Sequence, residues 1–127
     1  MSHSPWVPDL DLGDGHSLIW TGWDPDPVLN PQWADLPPEG PGEHHGAIVR
    51  HPRGPNLTEA SPYWNTDLNA QGLCESGISF DTARNRVGSW GPMWQVQSWS
   101  PLTMSPSLAC RACGDHGFIR EGRWVRA

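Results

Sequence analysis

The chain has 127 residues, a net charge of −6, 36% hydrophobic and 17% charged residues, which fits one domain with a small core. Glycine and proline number 14 each, yet there are nine tryptophans, and disordered chains avoid aromatics because they have no core to hold them. The opening MSHSPWVPDL lacks the basic start and apolar run of a signal peptide, and no stretch approaches the ~20 apolar residues of a membrane span, so neither secretion nor a membrane is expected.

Residues 1–62 carry 11 of the 14 prolines, and nine acids against two arginines; residues 63–127 carry five acids against six arginines. This shift near Pro62 predicts an acidic, Pro/Trp-rich extended arm over 1–62 and a small β domain over 63–127. Within the arm, DPDPVLNPQ and LPPEGPGE cannot be helix interiors, because each proline removes an amide donor and clashes with the preceding turn. Two short pieces read as strands, His16 to Trp23 and Gly46 to His51. Trp6, Trp23 and Trp33 are candidate anchors on a partner, since tryptophan is enriched where binding energy concentrates.

In the second half, Ile78 to Phe80 is a short β run. MWQVQSWS alternates, with Trp94 and Val96 on one face and Met93, Gln95, Gln97 and Trp99 on the other. Leu102 and Met104 alternate before a bend at Pro106. The tail, GFIR-EG-RWV, reads as a hairpin in which Gly122 supplies positive φ and Phe118 packs across from Trp124. No helical apolar period, internal repeat, heptad or phosphate-binding glycine loop is present. The expected fold is mainly β, a small zinc-stapled antiparallel domain with a long Pro/Gly-rich N-terminal arm.

Cys110, Cys113 and His116 form C-x2-C-x2-H, a spacing at which a tight turn can aim two sulfurs and an imidazole at one point. Zinc takes four such ligands in a tetrahedron. Cys74, in the turn-like GLCESG, is the remaining cysteine and the expected fourth ligand; His44, His45, His51 and Asp115 are the alternatives. A site closed by four protein ligands is structural, whereas a catalytic one keeps a position for water. Other chemistries fit less well. A His-Asn-His type nuclease needs a following helix, where a hairpin is expected. A Cys113–His116 nucleophile has no third, orienting group. A zinc-knuckle nucleic-acid reader suits Arg111, Arg120, Arg123 and Arg126 but not the acidic half, which phosphates would repel.

The segment LTMSPSLACRACGDHGFIREGRWV resembles the C-terminal signature of a family of small proteins of unknown function found in bacteria and in phages of actinobacteria. The matching residues are Leu102, Ser105 to Leu108, Cys110, Cys113, His116 to Ile119, Gly122 and Trp124, and the likeness covers roughly the last 55 residues. The resemblance implies a small β domain and a phage source, and no reaction. On that basis a non-enzymatic virion accessory protein is expected, a capsid decoration or minor capsid or tail component. It would be assembled in the host cytoplasm and bound through its arm to other virion proteins such as the major capsid protein, with homo-oligomers possible in a symmetric assembly. The alternative is a free-standing zinc-binding adaptor or regulator.

Overall fold

A computed structural model describes residues 6–21, 45–82, 85–86 and 92–127. Among them the chain is mainly β, with antiparallel sheets, as the sequence predicts. Strands β1 (Leu10–Gly13), β2 (His16–Thr21), β3 (Gly46–Pro52) and β4 (Leu73–Ser79) form one sheet in chain order. Strands β5 (Gln95–Trp99) and β6 (Leu102–Ser105) form a ribbon, and β7 (Leu108–Ala109), β8 (His116–Arg120) and β9 (Arg123–Arg126) a third sheet. A single helical turn, α1 (Thr66–Asn69), precedes β4 and starts at Asn65, whose side chain accepts from the amides of Asp67 and Leu68, satisfying donors that a helix start leaves open. No helix of the described residues is long and apolar enough to cross a membrane.

Two of the tight hairpins share a local cause. Asp14 and Gly15 (φ 53° and 75°) join β1 to β2, and Glu121 and Gly122 (φ 52° and 74°) join β8 to β9. Positive φ at both central residues gives the turn whose twist matches paired strands. Strand β1 was not expected; the Asp-Gly dipeptide is the signal that marks it. In the C-terminal hairpin Trp124 lies opposite Ile119, and Phe118 opposite Val125, so Trp124 does not share a face with Phe118 as expected. Trp124 instead packs over Gly117, where a Cβ would sit 2.5 Å from its ring.

The alternation expected for MWQVQSWS is interrupted. Val96 pairs with Met104, but Ser98 with Thr103 and Trp99 with Leu102, so the register slips between Val96 and Ser98. Such a slip adds one residue and shifts the faces by one. Trp99 thereby joins Trp94 and Val96 against the core rather than facing away from them.

That core gathers Leu12, Leu18, Ala47 and Val49 with Ile78, Phe80, Leu102, Met104, Leu108, Ile119 and Trp124. It spans the boundary expected at residue 62. The described part of 1–62 is therefore not an extended arm: β3 pairs with β4 along seven residue pairs, and its apolar face is buried on the second half. Trp6 is likewise used within the chain. Its Nε1 donates to Ser17 Oγ at 2.8 Å, and the Arg50 guanidinium lies 4.1 Å from its ring centre. Trp23 and Trp33 lie outside the described residues.

Candidate metal centre

Strand alternation builds half of the site. Along β3, Ala47, Val49 and His51 are buried in turn, because successive side chains point to opposite faces. His51 thus ends a row of inward-facing residues, and its register partner on β4 is Cys74. Two candidate ligands therefore stand side by side at the end of the core face.

The other half is the C-x2-C turn after β7. The Cys110 amide donates to the Asp115 carbonyl at 2.7 Å, and the Gly114 amide to the Cys110 carbonyl at 2.8 Å. Gly114 takes φ 83° to close the turn, a value that favours glycine. Gly54 lies so close that a Cβ there would come 2.2 Å from the Cys113 carbonyl oxygen, which presses the loop after β3 onto the turn. Leu57, Trp64 and Ala112 pack against the three cysteines.

One ligand atom from each of His51, Cys74, Cys110 and Cys113 lies within 4.8 Å of every other, and all four residues are buried. None of the cysteines is in a disulfide. Cys74 Sγ and Cys110 Sγ are 3.7 Å apart. A tetrahedral ion with sulfur arms of about 2.3 Å needs edges of about 3.8 Å, so these two sulfurs already stand at a coordination edge. The His51 ring adjoins Cys113 Sγ, with Nδ1 3.9 Å away. Nδ1 is also 2.9 Å from the Pro52 carbonyl, which can only accept, so Nδ1 carries the proton and Nε2 keeps a lone pair for an ion. Nε2 meanwhile lies 3.1 Å from Ser76 Oγ. The cluster could hold a metal ion.

Burial, followed by the neighbouring Cys110 sulfur, pushes the Cys74 thiol up to about 12. Burial also pushes Cys113 upward. For Cys110 burial again acts upward, but hydrogen bonds from His51 and Ser76 outweigh it and bring the thiol down to about 5. Burial disfavours the charged form of His51, yet its hydrogen bonds to Cys110 and to the Pro52 carbonyl hold it above the ordinary imidazole value.

His116, the expected ligand, is elsewhere. It begins β8 opposite Ala109, and both residues are exposed. Its Nε2 lies 2.9 Å from Ser107 Oγ. Strand geometry is the reason: Gly117 and Ile119 take the buried face of β8, so His116 falls on the outer one. Of the alternatives, His45 precedes β3 at the opposite end from His51, about 20 Å along the strand, and His44 lies outside the described residues. Asp115 is not among the four clustered residues but sits beside them. Its Oδ2 is 3.5 Å from His51 Nδ1 and 2.7 Å from Nε2 of the buried His16. His16 stacks on Trp124 at 4.0 Å between ring centres, and its Nδ1 faces the Asp14 carbonyl at 2.8 Å. Sequence reasoning missed His16 as a neighbour of the site.

No family model, curated protein or solved structure matches this chain.

Proposed function

We propose that this chain is a non-enzymatic structural protein whose β domain is stapled by one zinc ion on His51, Cys74, Cys110 and Cys113. The observation that carries the reading is the convergence of four buried ligand atoms within 4.8 Å. Three sulfurs and one imidazole are a donor set of closed, structural zinc sites. With all four positions taken by the protein, no place remains for water or substrate on the ion, and its contribution is folding free energy rather than a reaction. Metal analysis of protein purified without added metal tests this. One zinc per chain is expected; no bound metal overturns it.

Within that reading we place the chain as a virion accessory protein that binds other virion subunits. Support comes from the C-terminal signature and from the acids, Trp23 and Trp33 of residues 22–44. The engagement of Trp6 within the chain favours the second reading, a free-standing zinc-binding adaptor, because it removes one of three proposed anchors. Mass spectrometry of purified particles and of the lysate that produced them separates the two. Recovery in particles at a fixed ratio to the capsid protein is expected. Recovery in the lysate alone favours the adaptor.

A further inference from the structure

A surface cavity of about 560 Å³ opens beside the metal centre, lined by Ser76 and Gly77 of β4, by Ala109 of β7 and by Cys110. Strands β4 and β7 each end their sheet, so the cavity lies against two strand edges. Cys110 is the one cysteine that lines it. It is also the least buried of the three, 7% exposed against 4% for Cys74 and 0% for Cys113. A second sulfur, Cys74 Sγ, stands 3.7 Å from Cys110 Sγ. Cys110 therefore borders the cavity and has a partner sulfur in contact.

We propose that this pair is a modification site: a small hydroperoxide entering the cavity oxidises Cys110, Cys74 resolves the product, and the metal is released. The inference rests on the zinc reading above. In the first step the Cys110 thiolate attacks a peroxide oxygen; an S–O bond forms, the O–O bond breaks, and alkoxide or hydroxide leaves, giving a sulfenic acid. In the second, the Cys74 thiolate attacks that sulfur; an S–S bond forms, the S–O bond breaks, and hydroxide leaves. The two thiolates lose two electrons and the peroxide takes them. The ion then keeps only His51 and Cys113, and dissociates. Cys113, without access to the cavity, stays reduced.

The experiment uses the full chain loaded with zinc and treated with hydrogen peroxide. Release is followed with a chromogenic chelator, and disulfides are mapped by mass spectrometry. Loss of one zinc per chain, a Cys74–Cys110 disulfide and recovery of zinc binding after thiol reduction are expected. Because removing Cys110 also removes a ligand, access is tested separately with Gly77→Leu. A Cβ at Gly77 meets nothing within 4 Å, so this variant narrows the cavity and leaves the ligands in place. It should bind zinc normally and lose it to peroxide about tenfold more slowly. Zinc retained under peroxide, a disulfide to Cys113 instead of Cys74, or unchanged release from Gly77→Leu overturns the inference while the zinc reading stands. A chain that binds no zinc before peroxide is added overturns both.

Discussion

His51 and His116 differ in the strand face each occupies, and that decides their chemistry. His51 points inward beside Cys74; His116 points outward beside Ser107. His51→Ala should weaken zinc binding by roughly 100-fold or more, as should Cys113→Ser, whereas His116→Ala should leave it within about twofold. Competition against a chromogenic chelator measures all three, and the reverse order of the two histidines would refute the assignment. Protonation sets a second expectation. Near neutral pH the metal-free cluster keeps protons on Cys74, raised to about 12, and on Cys113, also raised, and the upward shift of His51 acts in the same direction. The bound form has three thiolates and a neutral imidazole. The free form therefore holds more protons, so raising pH favours binding. Log affinity should climb by about two to three per pH unit around pH 7; a flat profile between pH 6 and 8 would contradict the ligand set.

At the scale of elements, the β1–β2 hairpin is tied to the turn after β7 by His16. Its ring stacks on Trp124 and its Nε2 meets the Asp115 carboxylate at 2.7 Å. Removing the ring takes from a partly buried carboxylate its 2.7 Å partner, leaving His51 Nδ1 at 3.5 Å, and opens a gap beside an indole. His16→Ala should cost about 2–3 kcal/mol in a denaturant titration of the zinc-loaded protein. A loss below about 0.5 kcal/mol would mean that the hairpin docks by other contacts. The packing of Trp124 on Gly117 is as constrained. Gly117→Ala places a methyl 2.5 Å from the ring and 2.7 Å from the Val125 carbonyl oxygen. Overpacking of this kind should cost about 1–3 kcal/mol, with the Trp124 fluorescence environment altered in the native state.

At the scale of the whole molecule, one buried cluster among the described residues draws on both halves of the chain. Leu18 of β2 and Ile119 of β8 belong to the same buried cluster, and the four candidate ligands join β3 and β4 to the turn after β7. Chelation should therefore unfold the described strands together, not the C-terminal half alone. Hydrogen exchange should show β2 and β8 losing protection at the same chelator concentration; a β1–β4 sheet that stays protected would argue for two independent units. Charge belongs to this scale too. With a net charge of −6, the protein should not bind duplex DNA or RNA at physiological salt, because binding is dominated by phosphate neutralisation. A tight complex that weakens steeply with added salt would refute this.

Local chemistry determined much of this protein in advance. The β class, the strands at His16 and Gly46, and the Glu121-Gly122 hairpin follow from alternation and turn residues, which act between neighbours in the chain. So did three of the four candidate ligands, because cysteines are few and the C-x2-C turn is built locally. The Asp14-Gly15 turn was equally legible, and so was the run Ala47, Val49, His51, which carries the histidine to the inward face. What only the tertiary structure decided depends on contacts between distant residues. A register slip between Val96 and Ser98 turned Trp99 toward the core. Pairing of β3 with β4 placed His51 beside Cys74, and the ladder of β7 with β8 turned His116 away. Spacing states how far a side chain can reach; which face it occupies is set by the strand it pairs with, and that partner is not written next to it.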